Sequence, residues 1–486
     1  MTTPVSTAAA PLPADAPISR NRTPPRTGAI AGGGSGFRAF VTRLHFYVGL
    51  FVGPFVLIAA ITGTLFVITP QIEDYLYRDE LRTASLGEAR SLADQADAAR
   101  DYIGAAPRLF AVRPATGAGW NSRVMFAEPG LKESESRAIF VDPVTLDIKG
   151  DMIVYGTSGT LPFRTQIDYL HRNLLLGEFG RYYSELAASW LWIAALGGIM
   201  LWWWRRGGMK ATAGRQNTAM RTRRLHGLAG VWIAAGLIFL SITGLTWSQW
   251  AGARIDGFRA AVGWVTPSVS LALGEGDVAA HGEHAHHHHE TAPEQAEAQP
   301  AAADAALLDD IHAVARRAGI DSAMIEIRPP RSADQAWLVR EYDRSWPTQV
   351  DTLAIDPRSM EVVSRADFAT FPIVAKLIRW GIDLHMGILF GLPNQFLMAA
   401  LGLGLVFTIV YGYRIWWQRR PAPGAMPRTL VDAWMRLSAW LKAVVIIVAL
   451  GLGWALPLVG ASLAFFLCVD IARWWSARRM PDRRAA

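Results

Sequence analysis

Four of the eleven histidines in this 486-residue chain fall into repeated pairs. Arg43-Leu44-His45 returns as Arg224-Leu225-His226, and Leu170-His171 returns as Leu384-His385. An imidazole in an apolar segment is costly unless it is paired or coordinating, so each of the four is a functional candidate. Two histidines delivered from different helices suit a six-coordinate haem iron, whose porphyrin supplies four nitrogens and leaves two axial positions. Bare zinc or copper would need further protein ligands, and no Cys, Asp or Glu repeats inside the apolar spans to supply them. Glycines recur in step, Gly49 with Gly230 and Gly63 with Gly244, and a flat macrocycle between helices needs small residues near its faces. Arg43 and Arg224, each two residues ahead of a histidine, are candidates to pair with haem propionates. Each feature has a plainer use as well: interfacial polar residues for the histidines, topology signals for the arginines, helix packing for the glycines. The fourfold repetition, two histidines per membrane face, favours ligands.

The elements that must hold these side chains are membrane helices. The chain is 51% hydrophobic and only 18% charged, against about 25% charged in soluble domains. Residues 46–69, 184–204, 227–247, 394–413 and 443–469 are nearly free of charge, and about 20 apolar residues cross a bilayer. A wholly soluble enzyme, a disordered chain and a fibrous protein are excluded. Residues 205–224 carry seven Lys and Arg and no acid, whereas the connections 70–183 and 248–392 are long and mixed in sign. Positive-inside logic puts the short basic loops and both termini in the cytoplasm and the long connections outside. The net charge of +7 thus reads as orientation, and nucleic acid is not an expected partner. The C-terminal block 439–475 is too long for one crossing, and Pro457 near its middle predicts a hairpin. Six spans are expected in all. Cys468 is the only cysteine, which excludes a disulfide framework or a thiolate metal site within one chain; it reads as a membrane-buried thiol.

Self-comparison shows a duplication. An offset of 181 residues carries Arg43 to Arg224 and Ile61-Thr62-Gly63 to Ile242-Thr243-Gly244. Further on, an offset of 214 carries Asp142-Pro143 to Asp356-Pro357, His171 to His385, and Trp202-Trp203 with Arg205-Arg206 to Trp416-Trp417 with Arg419-Arg420. The offsets differ by 33 residues, which predicts an insertion in the second copy; the His-rich run at 274–306 fits it. Each copy is therefore span, external module, span. Each module begins with a helix (about 91–106 and 304–318) and continues with a strand ending in Arg113-Pro114 or Arg328-Pro329. A second strand follows (Ser122–Phe126, Ala336–Val339), then a third that enters the Asp-Pro turn (Ala138–Val141, Thr352–Ile355).

Taken together, the Arg-Leu-His span, the module with its Asp-Pro turn, and the Leu-His span ending in Trp-Trp-x-Arg-Arg resemble the PepSY-associated transmembrane family over residues 37–420. The relevant branch contains iron-regulated ferric-siderophore reductases of the bacterial inner membrane that carry two b-type haems. The resemblance implies an α-helical membrane protein with a duplicated four-helix haem-binding core, a C-terminal helical hairpin and two small α+β PepSY-like periplasmic modules. It implies His45 with His226 as axial ligands of an inner haem, and His171 with His385 as those of an outer haem. Electrons would pass from a cytoplasmic reductase or quinol to a periplasmic ferric siderophore, whose oxygens hold Fe(III) tightly and Fe(II) weakly. The implied organisation is a disordered cytoplasmic arm (1–36), first span (37–70), module 1 (71–181), second span (182–206), basic cytoplasmic loop (207–223) and third span (224–250). Module 2 (251–392, with the insertion 274–306), fourth span (393–418), basic segment (419–438), hairpin (439–476) and cytoplasmic tail (477–486) complete it.

No strand–GxGxxG–helix unit, P-loop or Gly-x-Ser-x-Gly occurs, so no nicotinamide or flavin site is expected and the electron donor must be separate. Residues near the outer pair (Arg172, Phe179, Arg181, Tyr182, Tyr183, Trp380) are candidates to touch the substrate. Two other readings remain: a non-enzymatic, membrane-anchored PepSY binding or inhibitory module, and a metal-uptake protein that uses the His-rich loop.

Overall fold

The computed structural model describes residues 33–132, 134–210, 218–274, 305–420 and 429–479. Most of the expected arm, nearly all of the His-rich insertion and most of the C-terminal tail lie outside the described residues; residues 33–36, expected in the arm, open the first helix. Helix α1 (Gly33–Tyr47) passes through one π-helical turn (Val48–Val52) into α2 (Gly53–Leu76). The first apolar helix therefore runs over Gly36–Leu76, 41 residues, well past the expected end at 70. After α3 (Arg78–Leu81) and α4 (Leu92–Ile103) come strands β1 (Arg108–Arg113), β2 (Ser122–Ala127), β3 (Glu135–Val141) and β4 (Ile148–Tyr155). Next are α5 (Pro162–Asn173), α6 (Gly177–Lys210), α7 (Thr218–Leu245) and α8 (Trp250–Ala261). The second copy continues with α9 (Leu308–Arg317), β5 (Ile325–Arg328), β6 (Trp337–Glu341), β7 (Thr352–Ile355), β8 (Val362–Ala366), α10 (Ile373–His385) and α11 (Leu392–Gln418). The C-terminal part is α12 (Leu430–Met435), α13 (Ala439–Ala455) and α14 (Pro457–Arg479).

Among the described residues, five helices are long and apolar enough to cross a membrane: Gly36–Leu76, Gly177–Arg206, Thr218–Leu245, Leu392–Gln418 and Pro457–Arg478. Against the six spans expected, the remaining apolar helix α13 has only 17 residues, or roughly 26 Å at 1.5 Å per residue. It and α14 form the hairpin, broken where Pro457 cannot donate to the preceding turn. Helices α2, α6, α7 and α11 pack in a closed ring around Val52, Val56, Ala60, Ala187, Leu237 and Leu405. The hairpin is tied to this ring. Buried Asp470 accepts from the Tyr47 hydroxyl and from the Val431 amide at 2.8 Å, and Trp190 donates to Ser462 at 2.8 Å. Cys468, expected as a membrane-buried thiol, lies on the protein surface of the apolar helix α14.

The sheet differs from expectation in two ways. Each module supplies four strands rather than three, because β4 and β8 follow the Asp-Pro turns. β8 at the sheet edge is largely exposed and β4 only part-buried, which blurs their apolar alternation. The modules are also not separate. Strands β1 and β5 pair antiparallel at Val112↔Ile327, giving one eight-stranded sheet of order β4-β3-β2-β1-β5-β6-β7-β8. Helices α4 and α9 cover one face over a shared core that includes Ala99, Val112, Ile139, Leu308, Ile327 and Leu353. The Asp309 carboxylate at the start of α9 accepts from the Leu92 and Ala93 amides at 2.8 and 3.1 Å, so one module caps the helix of the other. The repeated turns match in detail: Asp142 and Asp356 each accept from the amide two residues on, and Leu146 and Met360 both have positive φ.

On the other face, the seam is closed by charge. Arg113 donates to Glu326 at 2.7 Å, with side chains 2% and 0% exposed, and Arg328 and Arg340 reach the same carboxylate at 2.6 and 2.9 Å. Burial alone would raise the Glu326 carboxyl, but the Arg328, Arg340 and Arg113 guanidiniums hold it far below the usual range. A carboxyl lowered in this way stabilises the fold fully above its unfolded value of 4.5 and stops doing so as pH falls through its folded value. Replacing Glu326 with Gln leaves three guanidiniums without their carboxylate and should cost about 3–5 kcal/mol. Thermal unfolding of the detergent-solubilised full-length chain should show that loss at neutral pH. The E326Q midpoint should also fall less than the wild-type midpoint between pH 5 and pH 3.

Candidate functional site: two histidine pairs

The inner pair forms where the starts of two long helices meet the ends of two others. His45, near the end of α1, and His226, near the start of α7, face each other with ring centroids 6.4 Å apart and planes at 70°. His226 Nδ1 lies 2.8 Å from the Thr408 carbonyl on α11, which makes that nitrogen the N–H and leaves Nε2 with its lone pair. The duplication repeats this on the other side. Offset by 214, Thr408 corresponds to Ala194 on α6, and the His45 Nδ1 is buried toward the Ala194 backbone, short of a formed hydrogen bond. Glycine lies under each ring: a Cβ on Gly198 would stand 3.4 Å from His45 Cε1, and one on Gly412 would stand 3.4 Å from His226 Cε1.

The outer pair is built from short helices that lie against the long ones. His171 is near the end of α5 and packs on α2, and His385 ends α10 beside α7. Thr62 Oγ1 lies 3.0 Å from His171 Nδ1, and Thr243 Oγ1 lies 2.6 Å from His385 Nδ1. Each hydroxyl already donates to the carbonyl four residues back, Ile58 at 2.8 Å and Phe239 at 2.9 Å. A hydroxyl has one proton, so each threonine must accept, and both imidazoles carry their proton on Nδ1. Burial lowers the proton affinity of His171, and burial together with the nearby His171 pulls His385 down to about 3. Both rings are neutral at physiological pH with an unprotonated Nε2. The Tyr183 hydroxyl, bonded to the His171 carbonyl, further fixes α5.

His45 and His226 thus face each other across the two copies, and His171 and His385 occupy equivalent positions against α2 and α7. Thr62 and Thr243 lie 17 residues beyond His45 and His226, so the two levels are roughly 26 Å apart along the helices. The flanking residues fare differently. Of the repeated glycines only Gly63 lies against a histidine, 3.0 Å from His171 Cε1 by its Cβ direction; Gly49 opens on free space, Gly230 contacts Thr408 and Gly244 contacts Ala188. Arg224 is exposed and Arg43 stacks over Phe46 at 5.8 Å. The guanidinium beside His45 is instead that of Arg205, with Arg38, Arg223 and Arg419 around it. The repeated Trp-Trp-x-Arg-Arg motif contained Arg205 and Arg419, and the repeated Ile-Thr-Gly contained the threonines; both repeats were visible and only their partners were not. Near the outer pair, Trp247 packs on His385 at 6.4 Å, Trp380 packs on Trp346 and Phe368, and Phe179 is exposed.

Chemically, three of the four imidazoles are oriented by a partner on Nδ1, which is the usual arrangement of a histidine that binds metal through Nε2. Two imidazoles on opposite sides of one metal at about 2.0 Å would hold their centroids roughly 6 Å apart, as the inner pair does. Among the described residues no group of three or more His, Cys, Asp or Glu converges as a metal site. A prosthetic group that brings its own equatorial ligands therefore fits these residues better than a bare ion.

Thr62→Val and Thr243→Val keep the side-chain shape but remove the acceptor, and each should destabilise the chain by about 1–3 kcal/mol. Thr408→Val should be near neutral in the same thermal-unfolding measurement, since the backbone of Thr408 does the accepting. The sequence profile described as the PepSY-associated TM region matches residues 42–419 of the chain. No curated protein matches it.

Proposed function

The chain belongs to the PepSY-associated transmembrane family, and we propose that it is a reductase of the bacterial inner membrane that binds two b-type haems and reduces ferric siderophores outside, releasing Fe(II). The observation that carries this reading is the pair of threonine acceptors at equivalent positions in the two copies, which present His171 and His385 as neutral Nε2 ligands at the outer level. His45 and His226 would hold the inner group, His171 and His385 the outer one. Bound there, iron porphyrin would supply the one-electron redox chemistry.

The rest is the work of the protein. Thr62, Thr243 and the Thr408 carbonyl keep the proton on Nδ1 of His171, His385 and His226 and fix the orientation of those three rings. Gly198, Gly412 and Gly63 let helix backbones approach the rings. Arg205 with Arg38 and Arg223 offers positive charge at the inner level, in the role first assigned to Arg43 and Arg224. The same basic end supports an orientation with both termini cytoplasmic and the sheet periplasmic. In this reading, electrons enter from a cytoplasmic reductase or quinol, and the sheet roofs the outer level, where the substrate arrives.

Membranes containing the protein should show a Soret band and a sharp reduced α-band. Histidine-to-alanine variants should split by level, with His45→Ala and His385→Ala each losing about half of the haem. Adding a ferric siderophore to the dithionite-reduced protein, freed of excess reductant, should oxidise it and yield Fe(II) trapped by a ferrous chelator. A coloured protein whose reduced spectrum is unchanged by ferric siderophore would point to another acceptor, and a colourless protein from haem-sufficient cells would remove the haem reading.

A further inference from the structure

The junction between the sheet and the two outer histidine helices holds more positive charge than its carboxylates balance. Its centre is the loop Thr157–Gly159, between β4 and α5. Arg113 donates to the Thr157 and Ser158 carbonyls at 2.7 and 2.8 Å, and Arg340 to Thr157 at 3.0 Å. Arg123 donates to the Gly159 carbonyl at 3.1 Å and Arg344 to the Ser158 hydroxyl at 3.0 Å. Gly159 has φ of +61°, and any Cβ there would run into the Arg113 guanidinium, so the close approach requires glycine.

The acids are few. Glu326 is shared by Arg113, Arg328 and Arg340. Asp383, two residues before His385, is shared by Arg344 and Arg379. For Arg123 and Arg164 the common carboxylate is Glu73, which is also taken up by the Arg164 amide at 2.9 Å. Among the described residues named here, seven guanidiniums share three carboxylates, and adding Arg172 with its neighbour Asp168 makes eight with four. Arg164 is the least satisfied. Its guanidinium lies over the Phe66 ring at 4.6 Å, its Nε is buried without a hydrogen-bond partner, and Arg344 repels it. Arginine does not shed its proton in proteins, and unneutralised buried charge is strongly disfavoured. Burial already pulls the Arg123 guanidinium down to about 10.

We propose that this junction is a binding site for a carboxylate-bearing anion, held by Arg123, Arg164 and Arg344 beside the helices that carry His171 and His385. The planar arginine fork matches a carboxylate, and Glu326 already draws arginines to both of its oxygens, Arg113 to one and Arg328 to the other. Two sources offer that chemistry: the propionates of a porphyrin at the outer level, or a carboxylate ligand entering from the sheet side. The inference does not depend on the haem reading, because it is read out by stability.

The test uses the full-length protein in detergent, prepared with low and with full haem content, and citrate against sodium chloride at equal ionic strength. Low-haem wild type should show a concentration-dependent rise in thermal midpoint of about 4 °C or more with citrate. R123Q and R164Q should weaken the apparent citrate affinity at least about fivefold, R164K should retain part of it, and the remote R90Q should match wild type. Should R164Q fail to fold, R123Q and R164K carry the comparison. A response that vanishes in haem-loaded protein, with faster haem loss from R164Q, assigns the site to propionates; a response that persists assigns it to an external anion. No citrate response in either preparation, or one that R123Q and R164Q leave unaltered or R90Q reduces equally, overturns the proposal.

Discussion

A threonine hydroxyl has one proton to give, and in this chain Thr62 and Thr243 give it to the carbonyl one turn back. What remains on each oxygen is acceptor capacity aimed at a histidine Nδ1. That constraint decides the tautomer of His171 and His385, and with it which nitrogen is left bare. Without it the outer pair would be two buried polar rings of indefinite orientation. In the inner pair His226 reaches the same state by another route, the backbone carbonyl of Thr408, while His45 Nδ1 only faces the equivalent backbone at Ala194. The same two long helices, α2 with its α1 extension and α7, carry one site at each end.

The sheet matters because it fixes where the outer rings can be. Helices α5 and α10 are not themselves part of the four-helix ring; they are held between it and the sheet. Pairing of β1 with β5 joins the two modules into one body, and Glu326 locks that joint with guanidiniums from both copies. Arg344 then connects the joint to Asp383, near the end of α10, and to the loop that leads into α5. A contact chain through the seam therefore links the loop leading into α5 with α10, the two helices that carry the outer histidines. A single module, with four strands and one covering helix, would expose β1 as a bare edge.

Much of this was legible in the sequence because duplication turns weak signals into strong ones. The four histidines, the strands β1 to β3 and β5 to β7, and the hairpin break at Pro457 could each be placed from spacing and alternation. The misses share a physical cause. Strand β8 is largely exposed and β4 only part-buried, so neither shows a clean period of two. Fusion of the modules depends on an edge-to-edge pairing over 200 residues apart in sequence, which no local pattern reports. Arg43 and Arg224 were favoured by sequence proximity to a histidine, whereas on a helix two residues apart point to different faces. Arg205 reaches His45 from another helix altogether. The threonines were seen as part of a repeat but had no assigned role, because a hydroxyl's acceptor duty appears only once its neighbours are known.

The account stands on two axial imidazoles at each of two levels, and the haem-to-polypeptide ratio combined with the iron's spin state tests it. Pyridine haemochrome assay against amino-acid analysis should give two haems per chain, and low-temperature electron paramagnetic resonance of the oxidised protein should show only six-coordinate low-spin iron. A ratio near zero, or a dominant five-coordinate high-spin signal in fully loaded protein, would contradict it.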